Sequence, residues 1–230
     1  MKPPVGSDAL PAAVLWDMDG TLVDTEPYWM DAEYALVAEH GGQWSEEQAR
    51  ALVGNPLPVS AEVLHRSGGV DLPPEVIVER LIDLVVADVR RHLPWRPGAQ
   101  ELLRALRAAD VPCALVTMSY ARLTDAVVSA LPPGTFGAVV PGDQVRHGKP
   151  HPEPYLTAAR RLGVAPQDCV AIEDSRTGAA SAHAAGAAVV AVPHVVPVPP
   201  APGIVVVDTL EGLSPAGLAR LAGLARRAAS

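Results

Sequence analysis

Lysine is almost missing from this chain. Of its 18 basic residues only Lys2 and Lys149 are lysine, and the rest are arginine. The lone internal lysine is therefore a position to follow. Aromatic residues are also scarce, with four Trp, four Tyr and one Phe, so a core must be built mainly from Ala, Val and Leu. There is no basic block, and the net charge is −8. That balance excludes nucleic acid and an anionic membrane as expected partners. No apolar run approaches the ~18 residues that a membrane-spanning helix needs. The stretch Met1–Pro11 lacks the apolar run of a signal peptide. The two cysteines, Cys113 and Cys169, are far apart, each within an apolar run. They read as buried thiols of a cytoplasmic protein, not as a disulfide or a metal pair.

What is present is a chain 49% hydrophobic over 230 residues, which excludes disorder and suffices for a large domain or a core with a satellite. Short apolar runs rich in Val and Ile predict strands at Ala12–Trp16, Pro112–Thr117, Gly137–Val140, Cys169–Ile172, Ala188–Val192 and Ile204–Val207. Helical patterns lie between them, at Ala99–Ala109, Arg122–Leu131 and Glu153–Leu162. This alternation predicts parallel strands in a doubly wound, Rossmann-like α/β sheet. One interval breaks it. From Asp24 to Pro94 the pattern is helical, with segments at Glu26–His40, Ser45–Val53, Val59–Arg66 and Pro73–His92. Ser45 with Gln48 three residues on has the form of a capping box. The expected organisation is a core of residues 12–23 and 95–230 with a helical cap, residues 24–94, inserted after the first strand. The proline-rich Pro193–Gly203 reads as a stiff connector.

In such a sheet the site lies at the carboxyl ends of the strands. The first strand ends in Asp17-Met18-Asp19-Gly20-Thr21, the second in Thr117-Met118-Ser119, and the fourth in Glu173-Asp174-Ser175, while Gly148-Lys149-Pro150 follows the third. Asp17, Asp19 and Asp174, with Glu173, would form an anionic cluster that repels itself unless it binds a cation. Hard oxygen ligands with open positions suit Mg²⁺. Lys149, the Thr117 hydroxyl and glycine-rich backbone amides beside it suit a phosphate dianion.

Simpler readings exist for each piece. Asp-x-Asp-Gly also opens a calcium loop, but Asp24 and Glu26 fall at the wrong places to complete one. Thr117 and Ser119 could cap the next helix. Pro150 and Pro152 prevent the helix that would align His147 and His151 as ligands, so no zinc site is expected there. It is the conjunction of four strand-end motifs in this order that favours phosphoryl chemistry.

The run from Asp17 to Pro27 resembles the first signature of the haloacid dehalogenase-like hydrolase superfamily, and Thr117, Lys149 and Ile172–Ser175 are similar to its second, third and fourth motifs. The helical insertion resembles the cap of the branch holding β-phosphoglucomutase, phosphoglycolate phosphatase and small sugar-phosphate phosphatases. The resemblance implies Asp17 as nucleophile and Asp19 as general acid and base. It implies Mg²⁺ held by Asp17, the Asp19 carbonyl and Asp174, with Glu173 assisting. It also implies Thr117, Lys149 and the backbone near Gly20 and Met118 around the phosphoryl group. The expected activity is hydrolysis of a small phosphomonoester by a monomer. A phosphosugar mutase is the alternative, but the cations that hold a mutase's second phosphate are missing. The run after Gly54 is Asn55-Pro56-Leu57-Pro58, and Tyr120-Ala121 stands where mutases carry Lys-Asn. Trp29 stands where many relatives carry His. A receiver-type signalling module and a non-catalytic binding protein fit less well. The first is about half this length, and the second would not keep nucleophile, acid and lysine together.

Overall fold

The computed structural model describes residues 10–228. The N-terminal stretch read for a leader lies mostly outside them, as do the last two residues of the expected core. The chain divides into two compact units, Thr25–Pro94 and the chain on either side of it.

The larger unit is built on six parallel strands in the order β3-β2-β1-β4-β5-β6. They are β1 (Ala13–Trp16), β2 (Cys113–Val116), β3 (Ala138–Val140), β4 (Cys169–Glu173), β5 (Ala188–Ala191) and β6 (Ile204–Val206). Strands β1, β2, β4 and β5 are buried at every residue, which is why they read as continuous apolar runs without alternation. Strand β1 lies between β2 and β4, with Trp16 opposite Leu115 on one side and Ile172 on the other. The chain order reverses about β1, and the crevice beyond its carboxyl end is where such sheets bind ligands. One layer of the core joins Leu15, Val116, Val140, Ala171 and Val189 to Tyr155, Ala158 and Ala159. The scarcity of aromatics is met by small side chains that let helices approach the sheet closely. Cys113 and Cys169 are free and buried, as expected.

Helices Ala99–Ala108, Ala121–Ser129, Glu153–Leu162 and Arg176–Ala184, here α5, α6, α7 and α8, follow the smaller unit's four. Helix α7 starts with Pro154 in its first turn and stops at Gly163, whose φ of 70° no longer continues a helix. Helix α8 is capped by Ser175, whose hydroxyl accepts from the Gly178 amide at 3.1 Å. The last helix, α9 (Pro215–Ala228), was not among the expected elements. Its buried residues are Gly217, Leu218, Ala222 and Ala225, an apolar stripe too thin in large side chains to stand out.

The smaller unit holds α1 (Glu26–Glu39), α2 (Glu46–Arg50), α3 (Leu57–Ser67) and α4 (Pro74–Arg91). The expected segments agree except at α2, which ends at Arg50 and passes into turns before Val53. The capping box forms: Ser45 Oγ accepts from the Gln48 amide at 3.2 Å and Gln48 Oε1 from the Ser45 amide at 2.9 Å. Helix α4 packs against α1 and α3 through Ile77, Leu81, Ile82, Val85 and Val89, all nearly or fully buried. Full burial of each such side chain is worth about 1.5–3 kcal/mol, so this stripe is the unit's main support. No helix among the described residues is long and apolar enough to cross a membrane.

One carboxylate sits within this apolar unit. Glu33 is buried on α1 and accepts from Trp44 Nε1 at 3.1 Å. Burial pushes its pKa up from 4.5 to about 7 against the pull of that hydrogen bond. The folded unit therefore holds a proton that the unfolded chain releases between these two values. Stability present below pH 4.5 should decline as pH rises toward 7. Glu33→Gln keeps an acceptor for Trp44 and removes the charge. It should flatten this part of the pH–stability profile and gain on the order of 1 kcal/mol at about pH 8. Thermal melts of both proteins test this; parallel curves across that window would show that Glu33 is ionised in the folded unit.

Candidate active site

The carboxyl end of β1 is held in register before it turns. The Asp17 amide donates to the Ile172 carbonyl of β4 at 3.0 Å. The chain then folds back on itself, with the Leu22 and Val23 amides on the Met18 carbonyl at 2.9 and 3.0 Å. Arg96 clasps the turn from outside, Nε donating to the Gly20 carbonyl at 3.1 Å and its amide to the Leu22 carbonyl at 3.0 Å. In an extended strand Asp17 and Asp19 would share one face; here the turn separates their partners.

Asp17 faces β4 and the lysine loop. The Lys149 ammonium donates to Asp17 Oδ1 at 2.5 Å, to Glu173 Oε1 at 2.6 Å and to the Val116 carbonyl at 3.0 Å. Its three protons each have an acceptor, and its side chain is only 5% exposed. Glu173 is fully buried, and its Oε1 also accepts from Tyr155 Oη at 2.6 Å. Its Oε2 accepts from Ser175 Oγ at 3.1 Å. Ligand oxygens of Asp17, Glu173 and Asp174 lie within 4.8 Å of one another.

Two glycines make room for these carboxylates. A Cβ on Gly178 would overlap the Glu173 carboxylate, and one on Gly20 would overlap that of Asp174. Gly20 also has φ of +82°, a conformation few other residues adopt. Its amide donates to the Val23 carbonyl at 2.8 Å. Gly20 thus contributes space, while its own N–H is engaged within the turn.

Asp19 faces the other way. Its Oδ2 accepts from Thr117 Oγ1 at 3.1 Å and from Ser119 Oγ at 2.8 Å, both beyond the end of β2. Thr117 Oγ1 in turn accepts from the Ser119 amide at 2.9 Å. These hydroxyls do not cap α6, whose N-cap is Tyr120 without a side-chain bond. Asp17 and Asp174 gather with Glu173, while the Asp19 carboxylate accepts from hydroxyls and its charge still acts on Asp174. Met118 lies beside the lysine loop, its Sδ accepting from the Lys149 amide at 3.0 Å.

The electrostatics follow from burial. Asp17 is shifted well above the usual carboxylate range by burial and then by Glu173, with Lys149 opposing. Asp174 is pushed up to about 7, again by burial first and Glu173 second. Burial works against the Lys149 charge, but Asp17 and Glu173 outweigh it and its pKa rises. Three acidic groups share one ammonium, so a cation is under-supplied. Oxygen donors of this kind fit a hard divalent ion such as Mg²⁺. Asp17 and Asp19, two residues apart, thus have different partners, a lysine for one and hydroxyls for the other.

Sequence reasoning did not single out Tyr155, Arg96 or Gly178. Tyr155 and Arg96 act through residues distant in the chain, and Gly178 acts through the space it leaves for the nearby Glu173 carboxylate. Ser119 was read only as a strand-end hydroxyl or cap. As expected, no helix runs through His147 and His151, but a tight turn brings their ring centroids to 4.6 Å.

The geometry has counterparts. Residues 11–186 match the model of the haloacid dehalogenase-like hydrolases. The chain is 32% identical over 179 residues to the phosphorylated carbohydrates phosphatase of Thermotoga maritima, covering 76% of this chain and 81% of that one. It is 31% identical over 186 residues to the fructose-1-phosphate phosphatase of Escherichia coli, covering 76% and 93%. A solved structure of CbbY from Rhodobacter sphaeroides in complex with phosphate aligns with a TM-score of 0.79 at 27% identity, covering 91% and 99%.

Tyr155→Phe isolates one of these contacts, since the ring is kept and only the hydroxyl is lost. Glu173 would then be a buried carboxylate short of one donor, at a cost of about 1–3 kcal/mol. Urea denaturation should report that loss. An unchanged midpoint would mean that water replaces the hydroxyl and that Glu173 is less enclosed than its burial indicates.

Proposed function

This chain belongs to the haloacid dehalogenase-like hydrolase family, and we propose that it is a Mg²⁺-dependent phosphatase of small phosphorylated carbohydrates that works through an aspartyl-phosphate. Its class as a phosphoric monoester hydrolase follows from the family and from relatives named as phosphatases. The observation that carries the mechanism is the division of the two aspartates. Asp17 sits on Lys149 beside Glu173, and Asp19 sits apart on the Thr117 and Ser119 hydroxyls.

In this reading Asp17 is the nucleophile. Lys149 keeps it oriented and opposes the rise in its pKa that burial causes. A carboxylate oxygen of Asp17 bonds to phosphorus as the bond from phosphorus to the substrate oxygen breaks. Asp19, entering as the acid, gives its proton to that leaving oxygen. It then takes a proton from water as the water attacks the aspartyl-phosphate, restoring Asp17 and releasing phosphate. Mg²⁺ would be held by Asp17, the Asp19 carbonyl and Asp174, with Glu173 behind them, and bound there it would offset the charge of the phosphoryl group. Thr117, Lys149 and the backbone around Gly20 and Met118 border that group. The helical unit Thr25–Pro94 is read as a cap that selects the substrate. A phosphatase is favoured over a mutase because the second-phosphate cations are replaced by Asn55–Pro58 and Tyr120-Ala121. A cytoplasmic monomer belongs to the same reading.

The direct experiment is a panel of sugar phosphates and phosphoglycolate assayed with Mg²⁺ and with excess EDTA, using the wild type and Asp17→Asn. Turnover should need the metal and vanish in the variant. Uncatalysed phosphomonoester hydrolysis is slow enough that enzymes reach accelerations of ~10²¹, so no background would hide the loss. Full activity in chelator, or steady turnover by Asp17→Asn, overturns the mechanism.

Asp19→Asn separates the two steps. A sugar alkoxide is a strong base and needs the Asp19 proton, whereas p-nitrophenolate hardly does. General acid–base assistance is worth about 10²–10⁴-fold, so the variant should lose that much phosphoryl-transfer rate on sugar phosphates and far less on p-nitrophenyl phosphate. With no base left for water, p-nitrophenol should appear in a burst of about one equivalent followed by a slow rate. Stopped-flow absorbance reads the burst. Equal losses on both substrates without a burst would remove Asp19 from proton transfer.

A further inference from the structure

We propose that His147, His151 and Glu153 form a second divalent-metal site, for a borderline transition ion such as Zn²⁺, that braces the loop carrying Lys149. It is separate from the carboxylate cluster and differs from it in chemistry: two imidazoles and one carboxylate against oxygen donors alone. Ligand atoms of the three residues lie within 4.8 Å of one another. Around a tetrahedral zinc with bonds of about 2.0–2.1 Å, such atoms stand ~3.3 Å apart. Closing that difference takes only rotation of two exposed side chains.

The backbone beneath the site is already fixed. The His151 amide donates to the Gly148 carbonyl at 3.0 Å, closing the turn. The buried Ser181 hydroxyl donates to the His151 carbonyl at 2.6 Å. Glu153 opens α7, and its two oxygens accept from the Arg146 and His147 amides at 2.9 and 3.1 Å. The site is thus two side chains and a fixed carboxylate on a rigid frame, which lowers the ordering cost of binding.

The hydrogen bonds also set which nitrogens are available. His147 Nδ1 lies 2.9 Å from Glu153 Oε2, and a carboxylate oxygen can only accept. Their 2.9 Å separation is close to the ~3.3 Å between neighbouring zinc ligands, so an ion can replace the proton between them with Nδ1 and Oε2 both as ligands. His151 Nδ1 accepts from the Glu153 amide at a longer 3.2 Å, a bond that a metal can replace on the same lone pair. Imidazole donors favour zinc, copper and nickel over the hard ions that suit the aspartate cluster. Lys149 lies midway between the two histidines in the chain. An ion joining them would hold the turn from which Lys149 reaches Asp17 and Glu173.

The test uses untagged full-length protein saturated with Mg²⁺, titrated with Co²⁺ and followed by visible ligand-field absorption. A site with imidazole ligands and low coordination gives a strong band, and an all-oxygen octahedral site a faint one. The strong band should saturate at one equivalent. His147→Ala and His151→Ala should each weaken binding at least tenfold, and added Zn²⁺ should displace the cobalt. Both histidines are exposed, so the variants should fold, and circular dichroism verifies that. Absence of the strong band from the wild type, or its survival in either histidine variant, overturns the proposal.

Discussion

The placement of Lys149 is the constraint on which the rest of the site depends. Taking a carboxylate out of water costs several kcal/mol even after relaxation, and here Asp17 and Glu173 are both buried at the end of a parallel sheet. One ammonium between them makes that burial tolerable. The arrangement holds only if the lysine loop, β1 and β4 keep their register. The fold supplies this by pairing Asp17's amide to β4 and by anchoring Lys149 on the Val116 carbonyl at the end of β2. Removing the ammonium would leave two uncompensated anions, a change of the kind that costs about 3–5 kcal/mol.

The same constraint explains residues that have no chemistry of their own. Gly178 is a space for the Glu173 carboxylate, and Gly20 a space for that of Asp174. Tyr155 and Ser175 complete the acceptor demand of Glu173 from two different helices. Glu173 is therefore better described as the anchor of the site's charge balance than as an open ligand. Asp174 is only half-buried, and the pKa values of Asp17 and Asp174 are raised first by burial and then by the charge of Glu173.

Asp19 shows how little distance in sequence a change of role requires. Two residues after Asp17 it sits among neutral hydroxyl donors instead of beside a lysine. The turn that Arg96 clasps makes this possible. A straight strand would have sent both carboxylates into one environment, and they would have competed for one cation.

Much of this was legible in the amino-acid order. Strands buried in a parallel sheet are largely apolar, so the Val- and Ile-rich runs mark β1 to β6 to within a residue or two, although β6 is only half-buried. Polar residues at their carboxyl ends must share one edge, so Asp17, Asp19, Thr117 and Asp174 could be grouped before any coordinates. Helix α9 escaped because glycine and alanine bury without a strong periodic signal. The sequence by itself thus determined which groups reach the sheet edge, since strand direction alone decides that. Only the tertiary structure decided which partner each group meets. The contacts of Tyr155 with Glu173, of Ser119 with Asp19 and of His147 with His151 depend on turn torsions and helix placement, and those arise from packing between segments that carry no local sign of one another.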